Sequence, residues 1–236
     1  GKKAMTSTSG PGLSLMSEML GMAFMSELPC VVVDVQRGGP STGLPTKHEQ
    51  SDLFLAIHGG HGDAGRIVLS VESIHDCIDL TVVAFNLAEK YQCPVLLLSD
   101  GSLAFSTQNV PYPNPDDYHV VERKRWNGEG EYRRYVLTKD GISPMADPGT
   151  PGGMHIATGL EHNEAGLPSY TSANHEAMQA KRFRKFKDVV NDVDPTEVDG
   201  EGTADLGLIA WGSTIGVVRE ALQRLRAEGY KVKGFY

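Results

Sequence analysis

Residues 6–46 read TSTSGPGLSLMSEMLGMAFMSELPCVVVDVQRGGPSTGLPT, and this stretch decides the fold. Between residues 12 and 27 apolar side chains recur at the spacing of an α-helix. The run at 30–33 is wholly apolar, which is typical of a strand buried on both faces. Glycine-rich turns precede the helix and follow the strand. This order predicts a parallel α/β sheet, in which ligands bind at the carboxyl ends of the strands.

The two glycine turns suit an anion or a cofactor. The turn at 9–12 opens a helix, so its backbone N–H groups lie at the positive end of the helix dipole. The turn at 38–43 follows Arg37, whose planar guanidinium matches a carboxylate or phosphate bidentately. Ser41 and Thr42 add hydroxyl donors beside it. The alternative is that the glycines only form tight turns and that Arg37 pairs with an acid, but two such turns on successive α/β units favour a binding site.

The composition limits the class of protein. The chain has 236 residues, and 40% of them are hydrophobic, which is enough for the core of one large domain or two small ones. No apolar run approaches the ~18 residues of a membrane span, and no secretory signal pattern stands at the start. The net charge of −8 argues against a nucleic-acid-binding surface. Three widely spaced cysteines indicate a reducing, cytoplasmic compartment and provide no ligand set for zinc or an iron–sulfur cluster, so we expect buried thiols.

Further strand and helix patterns alternate along the chain. We expect a helix capped by Ser73, because serine there precedes a long amphipathic stretch. His58 and His61 are of the type that ligates a metal or relays a proton. No third ligand stands near them, so a hydrogen-bonded loop is the favoured alternative. The predicted strands lie at 56–58, 67–70 and 93–98.

The segment 107–149 has a different texture, because prolines interrupt regular structure there. Two charged segments flank an Asn-Gly turn, and this pattern predicts a β-hairpin insertion near 118–140 that stands off the main sheet. We interpret its arginines and lysines as a solvated face, with a contact to another subunit as the alternative.

A polar loop at 159–166 contains Glu161, His162 and Asn163, which are residue types that serve acid–base chemistry. A plain polar loop is the alternative interpretation. The next predicted helix carries a basic run at 181–187, which we interpret as a solvated or intersubunit face because the protein as a whole is acidic.

The end of the chain predicts a second domain. The first domain is expected to cover residues 1–190, and the acidic stretch 191–203 is predicted to be a linker. Residues 204–236 then read as a strand, an amphipathic helix and a strand, which is the start of a second α/β domain. Because the chain has no initial Met and ends within a strand pattern, we expect a fragment of a longer protein, truncated at both ends.

Five motifs carry a resemblance to a known family. They are TSTSGPGLSLMSE at 6–18, DVQRGGPSTGLPTKHEQSDL at 34–53, PGTPGG at 148–153, TGLEHNE at 158–164 and AWGST at 210–214. Together and in this order they resemble the α subunit of the 2-oxoacid:ferredoxin oxidoreductases, most of all the 2-oxoglutarate type. The resemblance implies an α/β fold with a thiamine-diphosphate pyrimidine-binding domain, a parallel sheet with flanking helices. The start of a transketolase-C-like α/β domain would follow it.

The resemblance also implies an activity. Such an enzyme oxidatively decarboxylates a 2-oxoacid, forms an acyl-CoA and reduces ferredoxin. Thiamine diphosphate would be shared with a β subunit. That partner would carry Mg²⁺ and an iron–sulfur cluster, and no metal is expected on this chain. No nucleic acid and no membrane is expected among the partners, and the assembly is an oligomer because subunits share the cofactor.

Site residues follow from the same resemblance. Arg37 matches the arginine that binds the 2-oxoacid carboxylate in the family, so it is assigned as the catalytic and substrate-binding residue. The loop at 159–166 matches one that covers the active site in relatives. Further substrate contacts are assigned to Ser41, Thr42, Glu161, His162 and Asn163, and cofactor contacts to Thr8, Ser9 and Gly10.

This sequence departs from the family pattern in two places. It lacks the Tyr-Pro-Ile-Thr-Pro segment and the glutamate that activates the thiamine aminopyrimidine, and the β subunit's Gly-Asp-Gly motif is absent too. We therefore expect this polypeptide to be inactive alone. The alternatives are a non-catalytic interaction module of thiamine fold and a subunit specific for pyruvate or branched-chain 2-oxoacids. A phosphate- or nucleotide-binding protein ranks last, because no G-x-x-x-x-G-K-[ST] motif is present.

Overall fold

Strands and helices alternate along residues 2–236, which the computed structural model describes. The strands are β1 Met5–Thr8, β2 Cys30–Gln36, β3 Ile67–Ser70, β4 Pro94–Asp100, β5 Val198–Asp199, β6 Leu206–Ile209 and β7 Val232–Phe235. The α-helices are α1 Gly10–Met25, α2 Leu53–His58, α3 Ile74–Tyr91, α4 Gly101–Ala104, α5 Ser172–Arg184 and α6 Thr214–Ala227. Two 3₁₀ segments span Pro115–Asp117 and Lys185–Asn191.

The first four strands form one parallel sheet in the order β1-β2-β4-β3. In its register Thr8 lies beside Asp34, and Gln36 lies beside Asp100. The carboxyl ends of β1, β2 and β4 therefore meet at one edge of the sheet. The α/β prediction with a parallel sheet and flanking helices is confirmed.

Helices cover both faces of this sheet. On one face Val31 packs with Ala84, Leu87 and Ala88 of α3. On the other face the next strand residue, Val32, packs with Leu13 and Leu20 of α1 and with Ala56 of α2. Because successive strand residues point to opposite faces, the apolar residues 30–33 of β2 fill both halves of the core.

The hairpin predicted near 118–140 is wrong. None of the described residues between β4 and β5 belongs to a strand, and only isolated bridges such as Arg125 with Met145 occur there. The segment does not stand off the sheet, because its cations bind inward. Arg123 pairs with Glu89 of α3 at 2.7 Å, and Arg134 donates to the carbonyl of Glu27 at 2.7 Å.

The strand predicted at 56–58 is also wrong, because these residues end α2. The following segment Gly60–Gly65 reads GHGDAG and has the spacing G-x-G-x-x-G. It follows a helix and precedes β3. A dinucleotide-binding turn needs the opposite order, a strand before the glycines and a helix after them.

The basic run at 181–187 is not the solvated or intersubunit face that we predicted. Lys181, Arg182 and Lys185 are buried, because Glu27 and Glu161 supply carboxylates to them. The thiol prediction is confirmed for Cys93, while the free thiols of Cys30 and Cys77 are only half-buried.

A second, three-stranded sheet has the order β5-β7-β6. The predicted strand-helix-strand unit is β6, α6 and β7, with β6 and β7 parallel. The predicted linker 191–203 is more than a linker, because its β5 pairs antiparallel with β7. Among residues 2–236, no helix has both the length and the apolar character needed to cross a bilayer.

Candidate functional site

A cleft of about 510 Å³ opens at the carboxyl ends of β1 and β2. It brings together the two glycine turns that the sequence singled out, since Gly10 and Arg37 both line it. Its walls are formed by residues from α1, from the turn after β2 and from α2, namely Gly10, Pro11, Ser14, Leu15, Arg37, Gly38, Gly39, Pro40, Ser41, Asp52 and Leu55.

Arg37 has a free guanidinium in this cleft. Its Nε atom is buried and has no hydrogen-bond partner, and no carboxylate within residues 2–236 forms an ion pair with it. A buried donor without a partner is costly, commonly ~1–3 kcal/mol. An anion in the cleft would remove that cost and could accept two parallel hydrogen bonds from the planar group.

The turn after Arg37 folds back on itself. Leu44 N–H donates to the carbonyl of Gly38 at 2.7 Å, and Gly38 N–H donates to the carbonyl of Lys47 at 2.8 Å. Gly43 has a φ of +54°, and a Cβ atom there would overlap the carbonyl oxygen of Gly38. Only glycine fits this position. The closed turn places Ser41 in the wall of the cleft, whereas Thr42 does not line it.

Two carboxyl groups meet beside the cleft, Asp34 from β2 and Asp52 from the cleft wall. Asp34 is fully buried in β2, and its carboxyl group meets that of Asp52 with no other donor from residues 2–236. A contact between two acceptors is favourable only when one of them is protonated. Burial, and next the charge of Asp52, raise the pKa of Asp34 to about 7, so Asp34 carries the shared proton.

The N-terminus of α1 forms another part of the cleft wall. Ser9 precedes the helix, but its side chain makes no capping hydrogen bond. A Cβ atom on Gly10 would lie 2.7 Å from a carboxylate oxygen of Asp52. The negative charge of Asp52 thus stands at the positive end of α1, where the helix dipole stabilises it. Thr8 packs against Gly12, and neither Thr8 nor Ser9 lines the cleft.

The second group of predicted site residues lies elsewhere. Glu161 lines a separate cleft of about 580 Å³, together with Met22, Phe24 and Met25 from the last turns of α1. The rise from Gly10 to Met22 along the helix is about 18 Å. The structure of this single chain therefore does not bring Glu161 to Arg37.

The side chains of Glu161 and Asn163 already have partners in the chain, whereas His162 has one for its Nδ1 atom but none for its buried Nε2 atom. Glu161 accepts hydrogen bonds from buried Arg182 at 2.8 Å and from His175, and against the effect of burial these bonds lower the pKa of Glu161. Asn163 Oδ1 accepts from two backbone N–H groups of its own loop. His162 is fully buried, and burial lowers the pKa of its ring. These contacts hold the loop in place within this chain. The assignment of Glu161, His162 and Asn163 as substrate contacts stays a prediction.

The sequence interpretation did not single out Asp34 and Asp52, although one signal was present. An aspartate inside the otherwise apolar strand CVVVDVQ has to be buried, and buried aspartates are rare unless they are paired. Asp52 carries no such signal, because it stands in a polar stretch and reaches the cleft only through the tertiary fold.

The parallel sheet, the unpaired arginine and the glycine turn at its edge define an α/β protein with a cleft at the carboxyl ends of its strands. Residues 1–182 match the family described as "Pyruvate flavodoxin/ferredoxin oxidoreductase, thiamine diP-bdg". The chain belongs to this family, as the sequence resemblance predicted.

Individual relatives agree with this membership. The chain is 41% identical over 234 residues to the 2-oxoglutarate oxidoreductase subunit KorA of Mycobacterium tuberculosis, covering 98% of this chain and 36% of the relative. It is 37% identical to the 2-oxoglutarate synthase subunit KorA of Methanocaldococcus jannaschii, covering 98% of this chain and 62% of the relative. The chain thus spans between about a third and two thirds of the length of these relatives.

A solved structure is similar over the whole chain. It is described as 2-oxoglutarate:ferredoxin oxidoreductase from Magnetococcus marinus with 2-oxoglutarate, coenzyme A and succinyl-CoA bound. The sequence identity is 70% and the TM-score is 0.97, with 100% of this chain and 41% of that chain covered.

Proposed function

We propose that this chain is part of the α subunit of a 2-oxoacid:ferredoxin oxidoreductase, with 2-oxoglutarate as its substrate. The enzyme would decarboxylate the 2-oxoacid oxidatively, form an acyl-CoA and pass electrons to ferredoxin. The observation that carries this proposal is the unpaired guanidinium of Arg37 in the cleft at the carboxyl edge of the sheet. The 70% identity to an enzyme that holds 2-oxoglutarate and coenzyme A supports the choice of substrate.

Arg37 would bind the carboxylate of the 2-oxoacid. Its fork of N–H groups fixes both the position and the plane of a carboxylate, which a point charge does not do. Ser41 lines the same cleft and would add a hydroxyl donor, and we propose a similar role for Thr42 in the same turn. Asp52 lines the same cleft, so its negative charge would disfavour a second anion beside it.

The residues also fit one wall of a thiamine diphosphate site. Ser9 does not cap α1 with its side chain, and Pro11 has no N–H group, so Gly10 and Gly12 would supply the backbone donors of the first turn to a ligand. We propose that Thr8, Ser9 and Gly10 contact the cofactor. Of the three only Gly10 lines the cleft, so Thr8 and Ser9 would contact it from beyond the cleft wall. When bound, thiamine diphosphate supplies the electron sink that decarboxylation of a 2-oxoacid requires. We also propose a β subunit as partner, which would carry Mg²⁺ and an iron–sulfur cluster. The proposed location of the enzyme is the cytoplasm.

Arg37→Lys in the complete enzyme tests the role of the arginine. The change keeps the charge but replaces a bidentate contact by a point contact, so kcat/KM for 2-oxoglutarate should fall by roughly tenfold or more. Arg133→Lys is the matched control, because Arg133 is exposed and pairs with Glu131. A kcat/KM equal to that of the wild type would remove Arg37 from the substrate site.

The substrate is tested separately. Steady-state rates with 2-oxoglutarate, pyruvate and a branched-chain 2-oxoacid should give the highest kcat/KM for 2-oxoglutarate. A preference for pyruvate would leave Arg37 as the carboxylate ligand and overturn the assignment of the substrate.

A further inference from the structure

Asp100 joins three separate parts of the chain. It is the last residue of β4 and is buried. Its Oδ1 atom accepts from the backbone N–H of Ser102 at 2.7 Å and of Leu103 at 3.2 Å, which caps α4. Its Oδ2 atom accepts from Gln50 Nε2 at 3.3 Å and from the hydroxyl of Ser213. One carboxylate therefore binds the first domain, the segment before α2 and the second domain.

The turn between β6 and α6 is fitted closely to this point. Gln50 Nε2 donates a second hydrogen bond, to the carbonyl of Trp211, at 3.1 Å. Gly212 has a φ of +63°, and a Cβ atom on it would lie 2.5 Å from Gln50 Nε2. A side chain at this position would be strained by the positive φ and would displace either the amide of Gln50 or the turn. The second domain is thus held where the candidate site opens.

The segment that supplies Gln50 also holds the turn after Arg37. Gly38 N–H donates to the carbonyl of Lys47, and Gly39 N–H donates to Glu49 Oε2 at 3.0 Å. These two glycines follow Arg37 directly. On the neighbouring strand, Asp100 is the register partner of the residue before Arg37. A displacement of the segment 47–50 therefore moves the support of the arginine.

We propose that Asp100 is a positioning residue for the carboxylate-binding turn. Through Gln50 and Ser213 it fastens the second domain to the first sheet, and this contact holds the segment 47–50 against Gly38 and Gly39. The second domain thereby fixes the place of Arg37 without touching the substrate. This inference rests on the proposed function, in which Arg37 binds the 2-oxoacid.

Two variants in the complete enzyme separate two roles of Asp100. One role is the contact with Gln50 and Ser213, which we call the latch, and the other is the cap of α4. In Asp100→Asn the amide oxygen still caps α4, since asparagine is a good N-cap residue. The amide nitrogen cannot accept from Gln50, and only a neutral hydrogen bond to Ser213 is left in place of the charged one. Ser213→Ala removes the hydroxyl alone, and Ser213→Thr restores it. Ser106→Ala is the control, because the hydroxyl of Ser106, just after α4, donates to the carbonyl of Ser102 in α4 and contacts neither Gln50 nor Ser213.

Two measurements are made on each variant. Amide hydrogen exchange of residues 38–47 should become roughly tenfold faster in Asp100→Asn and Ser213→Ala, because a hydrogen bond to a charged group is lost. The KM for the 2-oxoacid should rise by about fivefold while kcat stays within about twofold, because the substrate site is displaced but its groups remain. Ser213→Thr should restore both values, and Ser106→Ala should match the wild type.

Unchanged exchange at 38–47 in both variants would overturn the latch, whatever the activity does. Faster exchange with an unchanged KM would overturn the positioning role. The exchange result does not depend on whether Arg37 binds the substrate. The KM result does, so Arg37→Lys is measured in the same assay. If Arg37→Lys lowers kcat/KM and the KM of the two variants stays unchanged, the positioning role fails and the proposed function stands.

Discussion

Glu27 and Lys185 form an ion pair of 3.1 Å inside the protein, and Lys181 binds the second oxygen of the same carboxylate. All three side chains are buried. Glu27 lies two residues after the end of α1. Lys181 belongs to α5, and Lys185 begins the 3₁₀ segment that follows α5. One carboxylate therefore ties the end of α1 to the helix that braces the loop at 159–166.

Glu27→Gln should destabilise the protein by about 3–5 kcal/mol, because two buried ammonium groups lose their counter-charge. Denaturant unfolding monitored by circular dichroism measures the loss. Glu131→Gln is the matched control, because Glu131 is exposed and its pair with Arg133 is a surface one, worth about 0–1 kcal/mol. Equal effects of the two changes would contradict the role of Glu27.

The pKa of Glu27 predicts how the stability of the protein changes in acid. Burial alone would raise the pKa of Glu27, but Lys185 and Lys181 outweigh it and lower that pKa from 4.5 to about 2. A lowered pKa contributes stability that is present above the unfolded value and is lost as the pH falls toward the folded value. The stability difference between wild type and Glu27→Gln should therefore shrink as the pH falls from 4.5 to about 2. A difference that stays constant over this range would count against the ion pairs.

Asp34 should make the stability of the protein depend on pH in the opposite direction, and Asp34→Asn should remove this dependence. The pKa of Asp34 is raised from 3.8 to about 7, so the folded state binds more protons than the unfolded state between these values. Stability of the wild type should fall as the pH rises through this window, and asparagine removes that loss while still donating to Asp52.

Urea unfolding at several pH values tests the pair. The variant should match the wild type near pH 4 and exceed it above pH 7, relative to the exposed control Asp205→Asn, which removes one negative charge elsewhere. A gain that is the same at all pH values would show that the two carboxyl groups do not share a proton.

Two glycines of α1 should respond in opposite ways to alanine. A Cβ atom on Gly12 would overlap the hydroxyl of Thr8, whereas one on Gly21 meets no atom within 4 Å. Gly12→Ala should cost about 1–3 kcal/mol through overpacking. Gly21→Ala should gain about 0.5–1 kcal/mol, because alanine loses less backbone entropy in a helix. Thermal unfolding of both variants measures the signs, and a stabilising Gly12→Ala would refute the close packing of Thr8 on the helix.

The sequence predicted those elements correctly whose structure depends only on residues close to them in the chain. The strand at 30–33, the helix before it and the cap at Ser73 follow from periodicity and from side-chain chemistry within a few residues. The prediction of a hairpin near 118–140 was wrong because the structure of that segment depends on residues far away in the chain. Its charges alternate as in an exposed strand, but Arg123 and Arg134 find buried partners on distant elements.

The sequence by itself determined the parallel α/β order, the glycine turns and the place of Arg37 after a buried strand. These features depend on neighbours in the chain. The tertiary structure decided that Glu27 neutralises Lys181, which is 154 residues away, and that Asp52 lines the same cleft as Arg37. It also decided that the loop at 159–166 lies at the other end of α1. Such contacts are set by how the helices pack on the sheet, and no spacing along the chain encodes them.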